Sequence, residues 1–426
     1  MKNRIVVSLL LFILSYYSSA FAIFPKKCGI ESDSLLGQLG RCVSVMSQPE
    51  SRKFTDSRIF QVTQIGMPIA AAAFALKEND TQYRALRNDY FPKFDHAYDD
   101  VLQYVPAFSM YGLKICGVEG RSSWPRMIVS NVLSAAVMVA TVYPLKYLVR
   151  EERPNRSAFN SFPSGHTAAA FASATMLHKE YGLTRSYWYS VFGYSAALTT
   201  AISRPLNNLH WVSDVLFGAS MGIMSTEVGY WLADLLFKEK GLQRRERYFE
   251  PIGSDYRPSY VGFSLGYAFM NNSSKHITSD CIRLSTGATA FIDGAWFANR
   301  YWGIGGRFDV TSVQMLVNGM TLDESLDMKS VQIGPYVSYP LSGHWLVGAN
   351  VLLGYTNVPS YDSNYQPCGR IDGMTESINA QFTYLPRPHF GMRLNAGYQL
   401  SPSISVGDSS LSGNRFLLSC SVNMMF

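Results

Sequence analysis

The sequence predicts two unlike halves, an all-α helical bundle followed by an eight-stranded antiparallel up-and-down β-barrel. Three observations point to it. Apolar runs with helical spacing fill the chain to about residue 240. From about residue 256 the pattern becomes a period-two alternation rich in Gly, Tyr, Ser and Asn. The links between the alternating segments are long and short in turn. A length of 426 residues suits two or more domains. The expected boundaries are a signal peptide at 1–22, an N-terminal extension at 23–54, the helical domain at 55–240, a linker at 241–255 and the barrel at 256–426.

Lys2 and Arg4 precede an almost wholly apolar stretch from Ile5 to Leu14, and Ser19-Ala20-Phe21-Ala22 follows. This is the form of a secretory leader, with cleavage expected after Ala22. Its apolar part is too short to favour a spanning helix. No lipobox precedes Cys28, so a lipoprotein anchor is not expected. The six cysteines are Cys28, Cys42, Cys116, Cys281, Cys368 and Cys420. An even count in an exported chain permits disulfides, and six cysteines allow fifteen full pairings. Locality favours Cys28 with Cys42, then Cys281 with Cys368. No Cys-x-x-Cys spacing points to zinc.

Helices are expected near 58–78, 96–118, 124–149, 166–182, 185–202 and 210–238. Most of their apolar runs are shorter than a membrane span, and Lys77, Tyr147, Lys179 and Glu227 interrupt or cap them. Segments 127–145 and 215–236 are the strongest spanning candidates. The expectation is nevertheless a globular periplasmic bundle, because a chain ending as an outer-membrane barrel does not readily reside in the inner membrane. The net charge of +6 is spread along the chain, with no basic arm interleaved with aromatics, so no nucleic-acid partner is expected. Lys238, Lys240, Arg244 and Arg245 make a basic link before the barrel, read as a solvated linker.

Three spaced signatures carry the chemistry. Lys146 is followed by Arg153-Pro154, then Pro163-Ser164-Gly165-His166, then Ser203-Arg204 with His210 and Asp214. His210 and Asp214 are four apart, so on a helix they share a face. A carboxylate on Nδ1–H fixes the tautomer and leaves Nε2 free as nucleophile or base. Taken alone, such a pair is also ordinary helix surface. Pro163-Ser164-Gly165-His166 opens a strongly helical run, where unpaired N–H groups attract an anion. Gly165 permits close approach, Ser164 adds a donor, and His166 is placed to protonate a leaving oxygen. Alone, it also reads as a Ser N-cap with an incidental His. Lys146, Arg153 and Arg204 suit phosphate oxygens, though each singly is also a common solvated charge, as Arg150 is read here. Together they suit the holding and cleavage of a phosphate with no metal site.

The eleven fixed residues of these signatures fall in the order and spacing of the type 2 phosphatidic acid phosphatase family, which shares its fold with vanadium haloperoxidases, and residues 55–240 resemble that family. The resemblance implies a helical bundle with the site among helix ends. It also implies His210 as nucleophile, His166 as acid/base, Asp214 as orienter, and Lys146, Arg153, Ser164, Gly165 and Arg204 as phosphate ligands. It implies no cofactor and no metal.

Eight alternating segments are expected near 257–270, 281–297, 300–314, 329–340, 344–357, 375–385, 389–401 and 414–426. Asn271–Asp280, Asn318–Lys329, Asn357–Thr375 and Ser401–Gly413 read as long polar loops, while Ala298–Asn299, Leu341–Gly343 and Arg387–Pro388 are short. Long outer loops with short periplasmic turns mark an outer-membrane barrel, and the terminal Phe426 resembles an assembly signal. A soluble sandwich is the other reading. An eight-strand barrel is filled by its own side chains and so serves as an anchor. Since the first strand starts on the turn side, the catalytic half is expected in the periplasm.

The function expected is metal-independent hydrolysis of a lipid phosphate or diphosphate through a phosphohistidine. Candidate substrates are lipid A, undecaprenyl diphosphate and phosphatidylglycerol phosphate, with lipid A first because of the predicted membrane. A vanadate-dependent haloperoxidase and a non-catalytic outer-membrane structural protein are the alternatives. The leaving group and the oligomeric state are not legible.

Overall fold

The computed structural model describes residues 57–246, 252, 256–271, 275–277, 280–317, 320–359, 371–387, 389–406 and 409–426. The expected leader, the N-terminal extension and Cys28, Cys42 and Cys368 lie outside these residues, and with them the expected disulfide pairs. Cys116 and Cys420 are free thiols.

The helical half begins with α1 (Arg58–Thr63), α2 (Gly66–Leu76), α3 (Asp80–Tyr90), α4 (Asp99–Leu102) and α5 (Val105–Ile115). It continues with α6 (Trp124–Val149), α7 (Gly165–Leu177), α8 (Tyr187–Leu206) and α9 (Val212–Phe237). The Ser57 hydroxyl caps α1 by accepting from Phe60 N–H at 3.2 Å. Pro106 and Pro125 occupy first turns, where no N–H is needed. Arg150 ends α6 in the left-handed region, at φ 49°.

α7 is the centre of the bundle. Thr167, Ala168, Ala170, Ala172, Ser173, Ala174, Thr175, Met176 and Leu177 are all buried, so α7 has almost no solvent face. Small side chains let neighbours close around it. A Cβ at Gly218 or Gly222 of α9 would come within 2.5 Å of the Ser164 carbonyl oxygen or 2.3 Å of the Ala168 carbonyl oxygen. Only glycine admits that approach, and it draws the start of α9 onto the start of α7.

The expected 58–78 helix is broken between α1 and α2, and 96–118 is divided between α4 and α5. α3 was not expected. Its sequence, from Asp80 to Tyr90, is mostly polar, with only Tyr83, Leu86 and Tyr90 as a short apolar stripe.

The second half is the expected closed barrel. Its strands are β1 (Tyr260–Met270), β4 (Gly287–Phe297), β5 (Trp302–Val317), β6 (Met320–Ser342), β7 (Trp345–Val358), β8 (Ile371–Arg387), β9 (Phe390–Leu400) and β12 (Arg415–Met425). They pair antiparallel, from β1 with β4 on one side round through β12, β9, β8, β7 and β6 to β5. The β5–β6 ladder closes the ring. Short strands β2 (Lys275–Ile277) and β3 (Asp280–Leu284) extend the sheet beside β5, and β10 (Ile404–Val406) pairs with β11 (Ser409–Leu411). The expected loop at Asn318–Lys329 is mostly strand. β5 and β6 stay paired out to Val317 and Met320, because a main-chain ladder tolerates polar side chains beyond an apolar belt.

The wall is apolar outside and polar inside, the reverse of a soluble barrel. Val261, Ile292, Ile304, Phe308, Val331, Ile333, Val351 and Leu353 are exposed. Inside, Arg415 Nη2 lies 3.2 Å from Asp309 Oδ2, Arg393 Nη1 lies 3.4 Å from Asp293 Oδ2, and Arg307 Nη1 donates to Asn379 Oδ1 at 3.0 Å. Buried charges persist when so paired. An apolar cluster around Met270, Val313 and Met328 fills the end with the long connections, and another around Tyr260, Tyr336 and Leu385 fills the turn end.

The two halves touch along the barrel's outer wall. Tyr83 of α3 donates to the Gly266 carbonyl at 3.0 Å and accepts from its N–H at 3.1 Å, and Tyr267 donates to the Ala75 carbonyl. Phe60 packs with Trp345 and Tyr384 near the turns. Among the described residues, α6 alone is long and apolar enough to cross a membrane, and only 22% of its apolar window is buried.

Candidate active site

Four helix ends meet at one end of the bundle: the C-termini of α6 and α8 and the N-termini of α7 and α9. The loop between α6 and α7 crosses them. His210 lies just before α9 and is 2% exposed. Its Nδ1 is 2.8 Å from the Ser161 carbonyl, which requires a proton on Nδ1 and leaves the Nε2 lone pair free. Asp214 Oδ2 stands 3.7 Å from Nδ1, beyond hydrogen-bond range. It accepts instead from the Ser161 hydroxyl and from Trp211 N–H at 3.0 Å. The carboxylate therefore holds the imidazole through Ser161 and by its charge, rather than by direct contact. Burial lowers His210 to about 4, Asp214 opposes this, and Lys146 and Arg204 add to it. At neutral pH the ring is uncharged.

Ser164 is the N-cap of α7 and wholly buried. Its hydroxyl bonds to Thr167, by N–H at 3.4 Å and hydroxyl at 2.9 Å, and its own N–H donates to the Asp214 carbonyl at 3.1 Å. The first-turn amides of Gly165 and His166 are the ones left for an anion. A Cβ at Gly165 would sit 3.6 Å from Lys146 Cε, which brings the lysine against this helix start. Lys146 Nζ donates to the Asn160 carbonyl at 2.8 Å, and Arg153 Nε to Asn160 Oδ1 at 2.9 Å. Burial and the nearby Arg204 both lower Arg153.

Arg204 is 4% exposed, with Nη1 2.8 Å from Asp99 Oδ2 and 3.7 Å from Asp100 Oδ1. Its Nε and the Asp214 Oδ1 have no hydrogen-bond partner among the described residues. His166 Nε2 is 2.9 Å from Asp100 Oδ1. Burial and Arg204 lower His166 below its ordinary 6.5, against Asp100 and Asp99. Burial alone would raise Asp99, yet Ser203 and Arg204 hold it below its usual range.

All eight expected site residues thus gather at this end. Sequence reasoning missed Asp99, Asp100, Asn160 and Ser161. Ser161 and Asn160 adjoin a signature and were open to inspection. Asp99 and Asp100 lie 104 and 66 residues from Ser203 and His166, with no spacing signal. Asp80 was missed too. It accepts from Ser213 N–H at 3.0 Å, securing the first turn of α9, and burial raises it to about 7. Among the described residues no three His, Cys, Asp or Glu side chains form a metal-holding group.

Residues 127–237 match the PAP2 superfamily. The PAP2 domain so matched lies within the helical half, from α6 to the end of α9. A lipid A 1-phosphatase of Porphyromonas gingivalis is 46% identical over 174 residues, covering 41% of this chain and 39% of that protein. The aligned stretch therefore spans less than half of that relative's length. The crystal structure of Aquifex aeolicus LpxE is 21% identical with a TM-score of 0.28, covering 36% of this chain and 94% of that one. The outer membrane protein OprG from Pseudomonas aeruginosa is 9% identical with a TM-score of 0.33, covering 41% of this chain and all (100%) of its own.

The PAP2 site has a pH signature. If His210 attacks and His166 donates, as the sequence signatures imply, the first must be neutral and the second protonated, so activity would require a pH above the first value and below the second. With His210 at about 4 and His166 below 6.5, kcat/KM for a soluble phosphate ester is expected to peak on the acid side of 6.5. It should fall about tenfold per pH unit on the alkaline limb. A rate that stays level to pH 8 would contradict these roles.

Proposed function

We propose that this chain is a metal-independent phosphatase acting on a lipid phosphate of the bacterial envelope, held in the outer membrane by its barrel. The observation that carries this reading is the neutral, oriented His210 beside Lys146, Arg153, Arg204 and the amide-lined start of α7. Nε2 attacks phosphorus, the ester P–O bond breaks, and His166 gives its proton to the leaving oxygen. His166 then takes a proton from water, which displaces His210 and releases inorganic phosphate. The cations stabilise charge on the equatorial oxygens as it develops. The similarity to a lipid A 1-phosphatase supports a lipid A phosphate as the first substrate to try, with undecaprenyl diphosphate and phosphatidylglycerol phosphate next.

The test is phosphate release by the full-length protein in detergent with EDTA, from those three lipids, phosphatidate and soluble esters. Turnover of a lipid with EDTA present is the expected result. Release that needs added divalent cation would overturn the metal-independent mechanism.

A further inference from the structure

The sequence alone placed the catalytic half in the periplasm. The contacts between the halves point elsewhere. We propose that the PAP2 domain lies beside the barrel in the same bilayer, with its site at the leaflet on the side of the barrel's long connections. Its substrate is then a lipid phosphate of that outer leaflet. This deepens, and rests on, the phosphatase reading.

The barrel supplies a ruler, since its short turns mark one membrane face and its long connections the other. The catalytic end of the bundle is tied to the long-connection side. Gln82 Nε2 donates to the Thr286 carbonyl at 2.7 Å, and Asn79 Nδ2 to the Gly287 carbonyl at 3.4 Å, both where β4 leaves its long connection. Lys329 Nζ lies 4.4 Å from the Tyr90 ring, midway along the β5–β6 ladder and opposite Asn357, where β7 runs into its long connection. Arg87 of the same helix donates to the Leu206 carbonyl at 2.7 Å, two residues beyond Arg204. The opposite end of the bundle is tied to the turns. Tyr187, at the start of α8, stacks 4.2 Å from His389 in the β8–β9 turn, and Phe60 packs with Trp345 and Tyr384.

The surface agrees with this placement. Ile128, Val132, Val139, Tyr143 and Tyr147 line one exposed face of α6, whose 26 residues span about 39 Å, enough to cross a core of about 30 Å. That face ends at a cavity of about 470 Å³ lined by Tyr143, Lys146, Tyr147, Arg150, Phe159 and Asn160. Apolar side chains thus lead from the bilayer to two cations, one of them beside the helix start that would receive the phosphate. An amphiphile with acyl chains and an anionic head fits this sequence of surfaces, and it arrives sideways from the leaflet.

The test uses intact cells producing the full chain and a membrane-impermeant maleimide, read by peptide mass. Ser157→Cys, in the exposed loop above the site, should label in intact cells. Native Cys116, exposed at the far end of the bundle, should label only after lysis. Asn155→Cys in the same loop serves if the first variant folds poorly. In parallel, intact cells should release phosphate from a lipid phosphate presented in added vesicles, with His210→Ala as the blank. Protection of the loop cysteine until lysis, or lipid turnover that appears only after lysis, would overturn the placement. Labelling from outside with no turnover before or after lysis would instead remove the phosphatase reading and leave the placement standing.

Discussion

His210→Ala should lower phosphate release by on the order of 10⁴-fold or more, with the fold intact. The size of the loss follows from the surroundings of the imidazole. Nδ1 is held by the Ser161 carbonyl and Asp214 is 3.7 Å away, which leaves the Nε2 lone pair free. Water entering the alanine void would be a weaker nucleophile than the imidazole, with the cations and amides still in place. Residual catalysis would reflect phosphate binding and electrostatics alone. The measurement is single-turnover release from the preferred lipid, with acid-labile phosphate on the protein as a second readout. Wild type should carry transient phosphohistidine and the variant none. Turnover near the wild-type rate would exclude His210 as the nucleophile.

Asp99→Ala should be the most damaging change outside the signatures. Asp99 is fully buried and accepts from the Ser203 hydroxyl at 2.5 Å and from Arg204 at 2.8 Å. Removing it leaves the buried guanidinium with only the exposed Asp100 carboxylate at 3.7 Å, at a cost of up to about 3–5 kcal/mol. Freed of its partner, Arg204 would also lose its aim at the phosphate, lowering kcat by on the order of 10²-fold. The double change Asp99→Ala with Arg204→Leu separates the two effects. It should recover much of the stability, because no charge remains buried, and none of the activity. Denaturant midpoints and kcat for the two variants check this. Stability unchanged in Asp99→Ala would mean that the pair contributes nothing to the fold.

Much of this was legible in the sequence, and the reasons differ by region. The barrel strands showed because each residue pair alternates between lipid-facing and interior side chains, a pattern that survives without neighbours. α6 showed from its first residue to its last because Ser123 and Pro125 open it and Arg150 closes it. α3 did not show, since its stability comes from a surface nearly two hundred residues away, and its own composition says only that it is polar. The site divides in the same way. His210, His166, Arg204 and Lys146 announce themselves through the spacing of their signatures, although His210 itself precedes α9. Asp99 and Asp100 reach Arg204 and His166 only because α4 is laid across α7 and α8. The direct partner of Nδ1 is a main-chain carbonyl, which no side-chain motif can advertise.

The Tyr83 hydroxyl has one further consequence, which concerns time rather than place. Its partner, Gly266, is 183 residues downstream, and Gln64 meets Tyr384 across 320 residues. While the chain is being made, α1 to α3 exist long before the surfaces that complete them. This early segment is therefore among the last of the described residues to reach its final contacts. Until β1 arrives, the Tyr83 hydroxyl must be satisfied by solvent or by a transient partner.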